Sequence, residues 1–413
     1  MRPDWSCYLR ELLPGTMRPE RHPAAEAKVA WEQVRAFRLS RHHLSKRAPV
    51  EELTRVVGDM GGAQAQLTSA AQLSIWARVR DVRITDLEAA VGEERTLARA
   101  WCMRRTVHLV PSAELAVFVR GSARRAEKEV RWVRGRGFPQ HTIEELLATV
   151  LSVLDEPRTR PEIAERVARS LGRKTRTLRG GGWGNRRPMQ GVAIGKITFP
   201  AEYLLHLAGA RGVVCSGPDR GAESTFVRAD VWIPGYRDMP GPQAEAALLR
   251  RYLRASGPAT PADFALWSGL RLRDAREVWS RVESDIATID VEGWSAGVLR
   301  SDLNDLESAE FQPPSVRLLP NFDSFLIRHT ERSHLVEPRH HGRVFRPQGW
   351  VSPVLLIEGR TAGVWKAERT ANRLLVRVEP FAPLSRGVRR GLDAEAREMG
   401  RFLGVPGVQV AIA

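Results

Sequence analysis

The sequence predicts an α+β protein in which sets of short helices, each followed by a strand hairpin, recur before a β-rich C-terminal module. Three observations support this class: helical spacing of apolar residues, β-branched runs after the helical segments, and two Thr-Pro or Thr-Arg-Pro helix starts. At about 150 residues per domain, the 413 residues correspond to two or three domains. A chain with 43% apolar and 27% charged residues has ordinary globular composition, which argues against disorder.

The first repeat of this pattern follows a loose extension. Residues 1–28 are rich in proline and arginine, and we expect them to lack regular structure. Three short helices are predicted in 31–44, in 49–60 and from Thr68, and the β-branched segment 105–111 then predicts a strand. Short helices followed by a strand hairpin are the outline of a winged helix.

The same outline recurs twice along the chain. The second set has helices from His141 and Pro161 and strands at 213–215 and 226–233. The third set has predicted helices and a hairpin at 243–253, 261–270, 271–282, 286–289 and 297–300. The sequence therefore predicts three tandem winged helix-turn-helix units.

The remaining residues predict a different, mostly β module. Its strands and final helix are expected at 316–319, 354–360, 362–365, 373–378 and 393–403. Glu358-Gly359-Arg360 supplies a hairpin turn. The extension, the three winged helices and the C-terminal module are thus predicted at 1–28, 29–137, 138–240, 241–312 and 313–413.

Charge and cysteine content restrict the class of partner. The formal charge is +16, from 64 Lys and Arg against 48 Asp and Glu, so the surface attracts polyanions. Cys7, Cys102 and Cys215 are far apart, which supports neither a disulfide framework nor a zinc site. We find no signal sequence and no long apolar run, and we expect a cytoplasmic, nucleoid-associated protein without membrane contact.

Two glutamines form the most informative local motif. Gln64 and Gln66 lie two residues apart, directly after Gly61-Gly62 and before a predicted helix. In extended backbone, residues two apart point the same way, so both amides can face one point and hold a water or a sugar. From composition alone, two solvated loop glutamines are the more common interpretation.

Several motifs together resemble the AlkZ-like family of winged-helix DNA glycosylases. They are the Gln64–Gln66 stretch with 34–39, 104–111, 318–323, 357–360 and 363–365, in the order that the family has them. The similarity runs from Val29 to the C-terminus. The resemblance implies three winged helices and a C-terminal module around a basic concave channel that binds duplex DNA.

The resemblance also implies an activity. In the family the catalytic motif is Gln, an apolar residue, then Gln or Asp, and the Gln–Gln form is typical of members that unhook bulky or crosslinking adducts. It implies a monofunctional glycosylase for N7-alkylguanine or N3-alkyladenine, without lyase activity, cofactor or metal. Gln66 would hold the attacking water and Gln64 would position it. Such substrates would suit a biological role in the self-resistance of an organism that produces a DNA-alkylating natural product.

Other residues match family positions or form basic segments. His108 and Asp323 are expected to support the site, with a structural histidine and a buried capping aspartate as the alternatives. Arg104 and Arg105 are expected to contact DNA. A basic segment could be the hairpin by which the family approaches DNA, or a solvated loop, and its residues are Arg339, His340, His341 and Arg343.

One departure from the family and one rival function remain. Many members have Asp-Arg-x-Arg where this chain has Glu331-Arg332-Ser333-His334, which puts a phosphate contact there in doubt. The adjacent histidines at His42-His43 and His340-His341 point apart on most backbones and predict no metal site. The alternative function is a winged-helix transcription regulator that binds DNA without chemistry. We expect a monomer.

Overall fold

The computed structural model describes residues 25–125, 140–178, 189–194, 197–221, 223–311 and 315–413. The helices, labelled α1 to α15 in chain order, are Trp31–Arg41, Leu53–Asp59, Thr68–Trp76, Ile84–Gly92, Leu115–Gly121, Gln140–Ser152, Arg160–Ser170, Ala201–Ala210, Ala229–Trp232, Gly241–Ser256, Pro261–Ser268, Leu272–Arg281, Leu303–Glu307, His341–Val344 and Arg386–Leu403. Within the described ranges, no helix is both long enough and apolar enough to cross a membrane.

The strands are labelled β1 to β19 in the same way. They are Ala27–Val29, Ala63–Gln64, Leu97–Trp101, Val107–Pro111, Arg158–Thr159, Thr175–Leu178, Met189–Ile194, Ile197–Pro200, Val214–Ser216, Thr225–Arg228, Ile286–Val291, Trp294–Leu299, Val316–Leu319, Phe345–Arg346, Trp350–Val351, Val354–Ile357, Arg360–Arg369, Arg373–Pro380 and Gly407–Ile412.

Capping fixes two helix starts that the sequence predicts. At α7 the Thr159 backbone N–H donates to the Glu162 carboxylate at 2.7 Å, and Pro161 stands in the first turn. At α11 the Thr260 backbone N–H donates to Asp263 Oδ2 at 2.9 Å. Each carboxylate satisfies a backbone donor that the helix itself leaves open. Both helix starts predicted from Thr-Arg-Pro and Thr-Pro are therefore confirmed.

One sheet joins strands from the first and second predicted units. Its order is β2-β4-β3-β9-β10-β5. Strands β3 and β9 meet where Arg99 pairs with Ser216, and the Arg99 side chain also holds the Asp219 carboxylate with an N–O distance of 2.8 Å. The sheet consequently ties the Gln64 strand to the helices that follow residue 140.

The predicted strand at 226–233 is wrong over its second half. Strand β10 ends at Arg228, and Ala229–Trp232 form the short helix α9. Ala229 and Trp232 are both buried, which is the spacing of one helical turn rather than the alternation of a strand. The β-branched residues in this segment had favoured the strand.

The third hairpin acquires a strand from the start of the chain. Strand β1 pairs in parallel with β11, whose antiparallel partner is β12. Ala27 and Lys28 therefore belong to a sheet, which corrects the predicted loose extension at that point; residues 1–24 lie outside the described ranges. Val34 and Phe37 of α1 pack on this sheet against Ile289.

The C-terminal module is a sheet with the strand order β13-β16-β17-β18-β19, covered by α15. Glu358 and Gly359 have φ of 48° and 75°, as a tight hairpin turn requires, so the predicted turn is confirmed. Helix α15 begins at Arg386 instead of residue 393, because the Ser385 hydroxyl caps it by accepting from the Val388 N–H. Strand β19, which pairs in parallel with β18, was not predicted.

One hydrophobic core contains residues from both ends of the chain. Met60, Ile75 and Trp76 belong to the same buried cluster as Leu319 and Met399. The first helices and the C-terminal module therefore share their interior. The core thus crosses the predicted segment boundaries, and the division of the chain into five segments stays a prediction.

Candidate functional site

The segment that carries the two glutamines follows a glycine turn, with Gln64 in the short strand β2 and Gln66 in the bend after it. Gly61 and Gly62 have φ of 66° and 85°, which ends α2 and turns the chain into β2. A Cβ on Gly62 would lie 3.1 Å from Val110 Cγ1 and 3.3 Å from the Leu109 carbonyl oxygen of β4. The glycines thus let the segment lie directly on β4, where Gln64 pairs with His108.

The structure brings the two predicted amides into contact. Gln64 Nε2 donates to Gln66 Oε1 at 2.8 Å, and Gln64 Oε1 accepts from Arg104 Nη2 at 2.9 Å. Only 9% of Gln64 is exposed, whereas Gln66 is exposed. The pair therefore consists of the buried Gln64 amide, which accepts from Arg104, and the exposed Gln66 amide, which accepts from Gln64.

His108 lies beside Gln64 as a neutral imidazole. The two residues are opposite each other on antiparallel strands, so their side chains share one face of the sheet. Burial and the nearby charge of Arg104 lower the pKa of His108 to about 3. His108 Nδ1 is 2.9 Å from the Thr106 carbonyl oxygen, which requires Nδ1 to carry the proton. Nε2 consequently has an unprotonated lone pair.

Burial of neutral histidines gives stability a defined pH dependence. Burial is the main cause that lowers the pKa of His42, His108, His329 and His334 below 6.5. The unfolded chain therefore binds more protons than the folded chain as pH falls below about 6.5. We expect the free energy of unfolding to decrease between pH 7 and pH 5, measured by urea denaturation.

The slope of the unfolding free energy against pH tests whether the buried histidines cause the decrease. Each such histidine contributes up to about 1.36 kcal/mol per pH unit. His108→Asn, whose amide can still donate to the Thr106 carbonyl, should make the slope shallower by about one proton. Unfolding free energies that stay constant from pH 7 to pH 5 would contradict this origin.

Asp323 lies in a buried ion pair, which is the arrangement expected from the structural alternative for this residue. Its carboxylate accepts from Arg78 Nη2 at 2.7 Å, from Ser74 Oγ at 2.5 Å and from the Phe325 backbone N–H at 2.9 Å. Both side chains of the ion pair are fully buried. Burial raises the pKa of Asp323, but the charge and hydrogen bonds of Arg78 bring that pKa below its ordinary value. These contacts support the structural alternative, a buried aspartate that caps the Phe325 backbone N–H.

The basic segment 337–346 begins as a helical turn and ends in the first strand of a short hairpin. Pro338–His340 form a 3-10 turn that continues into α14. Exposed Arg339 contacts Glu337, Arg343 Nη2 lies 2.8 Å from Glu379 Oε2, and His340 stacks on Phe381. His341 packs near Phe345. The proline at 338 favours the helical start. Phe345 and Arg346 then form β14, which pairs antiparallel with β15.

The sequence patterns do not identify Arg328, whose guanidinium holds the backbone just before the glycine turn. Its fully buried guanidinium donates to the Met60 carbonyl, to Ser256 Oγ at 2.9 Å and to the Ser324 carbonyl at 2.8 Å. Burial lowers its pKa to about 9. An arginine directly after the apolar run 325–327 is the available signal in the sequence, because a charge buried there must find acceptors.

His334 is another residue whose role the sequence did not reveal. Its ring stacks on Trp31 with centroids 4.5 Å apart. His334 Nε2 lies 2.8 Å from Arg38 Nη1 in a buried contact. In the described part of the chain, no cluster of three potential metal ligands occurs.

The site and the fold together define a class of protein. Helix-turn-helix segments with strand hairpins are typical of proteins that act on nucleic acids, and the central site is built from amides. The sequence model of the family described as "DNA glycosylase AlkZ-like" matches residues 57–402. The chain belongs to this AlkZ-like DNA glycosylase family, which confirms the resemblance inferred from the motifs.

Two comparisons extend over nearly the whole chain. An "Interstrand DNA cross-link repair glycosylase" from Streptomyces sahachiroi is 30% identical over 400 residues, which cover 93% of this chain and 100% of that protein. The solved structure of the Streptomyces sahachiroi DNA glycosylase AlkZ superposes with a TM-score of 0.76 at 28% identity, covering 94% of this chain and 100% of that one. The predicted mixed α+β class is thereby confirmed. The number of winged helices stays a prediction.

Proposed function

We propose that the protein is a monofunctional glycosylase that hydrolyses the N-glycosidic bond of N7-alkylguanine or N3-alkyladenine in duplex DNA. The observation that carries the proposal is the hydrogen-bonded Gln64–Gln66 pair. Both are neutral amides, so the pair has no acid to protonate a leaving base. An alkylated purine already carries positive charge and leaves without protonation. The chemistry of the pair thus matches that class of lesion.

The proposed reaction needs only positioned dipoles and a water. The bond between C1′ and the purine nitrogen breaks, its electron pair goes to the base, and the alkylated base becomes neutral. Gln66 Oε1 accepts a hydrogen bond from the attacking water, and the amide dipoles stabilise the positive charge that develops on the sugar. Water oxygen then bonds to C1′, its proton goes to solvent, and an abasic site remains.

Accessibility of Gln66 supports a broad range of adduct sizes. Because Gln66 is exposed and Gln64 is held behind it, a substrate can approach the pair from the surface. The Streptomyces sahachiroi relative is described as a cross-link repair enzyme, and we extend bulky and crosslinking adducts to this chain as proposed substrates. Self-resistance to an alkylating natural product would follow from that specificity.

Alkaline cleavage of abasic sites tests the proposal. We expect wild-type protein to release N7-methylguanine from a labelled duplex and to leave sites that break only after alkali. An unmodified duplex of the same sequence is the matched control. Breakage without alkali would contradict the absence of lyase activity. Tight binding of both duplexes without base release would instead favour the regulator.

A set of duplexes with different N7 adducts tests which adducts the protein releases. The same assay with a bulky N7 adduct and with an N7–N7 interstrand crosslink should show release and unhooking. Release of the methyl adduct alone would restrict the function to small lesions and contradict the proposed crosslink substrate.

A further inference from the structure

Two consecutive arginines beside the amide pair have strained backbone. Arg104 and Arg105 have φ of 53° and 61°, a region that non-glycine residues rarely occupy. The turn is closed by the Thr106 N–H donating to the Met103 carbonyl at 3.1 Å and by the Cys102 N–H donating to the Thr106 carbonyl at 3.1 Å. Such strain persists where surrounding contacts hold it and is common at functional sites.

The side chain of Arg104 links the third helical set to the amide pair. Its Nη1 donates to the Trp267 carbonyl oxygen at 2.5 Å, and its Nη2 donates to Gln64 Oε1 at 2.9 Å. Trp267 lies in the last turn of α11, where helix carbonyls face outward and carry partial negative charge. One planar guanidinium therefore spans from the end of α11 to the catalytic loop.

The backbone of the same turn is fitted to α11. Gly269, which ends that helix with φ of 83°, would place a Cβ only 2.9 Å from both Arg104 N and Arg104 Cα. Because these are backbone atoms, a side chain at this position would displace the turn. Gly269 thus allows the close approach that puts the Arg104 guanidinium within reach of Gln64.

Donor and acceptor chemistry then determines both amide orientations. A guanidinium only donates, so the Gln64 atom facing Arg104 is the oxygen, and the amide nitrogen faces Gln66. That nitrogen also only donates, so the Gln66 atom facing it is the oxygen. Without Arg104, the Gln64 amide could rotate by 180° and present its oxygen to Gln66 Oε1.

We propose that Arg104 is a positioning residue that fixes the Gln66 carbonyl oxygen through Gln64, instead of a phosphate contact. This inference rests on the proposed role of Gln66 as the residue that holds water. Arg104 reaches the water only through two side chains. Its loss should therefore change the rate of the chemical step more than the affinity for DNA.

Arg104→Met and Arg104→Lys separate the two roles. Lysine keeps the charge that a phosphate would need but lacks the planar fork that reaches two acceptors. We expect each variant to lower the single-turnover rate of N7-methylguanine release by about 10- to 100-fold, as for outer partners of functional groups. Affinity for the adducted duplex and its salt dependence should remain as in wild type.

A double-mutant cycle tests whether Arg104 acts through Gln64. Arg104→Met should cause little further loss in the Gln64→Ala protein, since the group it orients is absent. Equal losses in both backgrounds would overturn the inference. A salt slope reduced by about one phosphate contact, with the rate at saturation retained, would also overturn it.

Two further variants and one spectroscopic measurement extend the test, and the spectroscopic measurement does not depend on activity. Gly269→Ala keeps Arg104 in the sequence but displaces the backbone that brings its guanidinium to Gln64, and it should lower the rate as Arg104→Met does. Arg377→Met removes an exposed arginine paired with Glu368 and should leave the rate unchanged. In glutamine-labelled protein, Arg104→Met should shift the side-chain amide resonances of Gln64 and Gln66; unchanged resonances would overturn the inference.

These readouts also distinguish two failures. Wild-type protein that releases no base would refute the proposed function, while the amide resonances would still report whether Arg104 orients the pair. An active wild type with an equally active Arg104→Met would refute the positioning role alone.

Discussion

Gln66→Ala is expected to lower the single-turnover rate of base release by about 10²- to 10³-fold, the loss typical when one preorganised polar group is removed from a reacting centre. The affinity for the adducted duplex should change little, because Gln66 is uncharged and phosphate contacts dominate that affinity. Base release under single-turnover conditions and duplex binding at fixed salt measure the two effects. A rate equal to that of wild type would contradict the role assigned to Gln66.

Carboxylate variants at the same two positions test the direction of the hydrogen bond between Gln64 and Gln66. Gln66→Glu keeps an oxygen that can accept from Gln64 Nε2, and we expect it to retain activity. Gln64→Glu removes the donor to Gln66 and should be as inactive as Gln64→Ala. The reverse order of activities would show that the amide pair is polarised in the opposite sense.

Asp323→Asn is expected to destabilise the protein by about 3–5 kcal/mol, because it leaves the buried Arg78 guanidinium without its counter-charge. Arg78 and Asp323 are joined by Nη2–Oδ1 and Nη1–Oδ2 distances of 2.7 and 2.9 Å. The free energy of unfolding in urea measures the loss. Glu368→Gln, which breaks the exposed pair with Arg377, is the matched control and should cost about 0–1 kcal/mol.

The same pair has a pH dependence of known sign. The folded pKa of Asp323 lies below its ordinary value near 3.8, so the contribution of the pair is complete above that value and is lost as pH falls through the folded pKa. Near-wild-type stability of Asp323→Asn together with a large loss of base release would contradict the structural role and restore a role near the substrate.

Local features of the fold could be predicted from sequence because neighbours in the chain determine them. Thr159 and Thr260 start helices through residues three positions away, and Glu358 and Gly359 make a turn by their own backbone preferences. The parallel pairing of Ala27–Val29 with β11 joins segments more than 250 residues apart. No local pattern carries that information, so the sequence could not predict it.

The candidate site likewise has one feature that neighbouring residues determine and others that depend on residues distant in the chain. The spacing of Gln64 and Gln66 predicts that both amides face one point, and the structure places them in hydrogen-bond contact, with Gln64 in β2 and Gln66 in the bend after it. The hydrogen bond from Arg104 to Gln64 depends on β3, β4 and α11 meeting in space, so a basic residue beside the motif was interpreted as a DNA contact. Asp323 matched a family position, but its partner Arg78 is 245 residues away and could not be identified from sequence.

The core shared by the two ends of the chain has a consequence for biosynthesis. Arg328 holds the Met60 carbonyl just before the glycine turn, and Met399 packs in the same interior as Met60. Contacts between residues so distant in sequence form late in folding, since the intervening chain must first be closed into a loop. During translation the helices of the first unit leave the ribosome hundreds of residues before their support does. The hydrogen bond that supports the glycine turn can therefore form only after residue 328 has been translated.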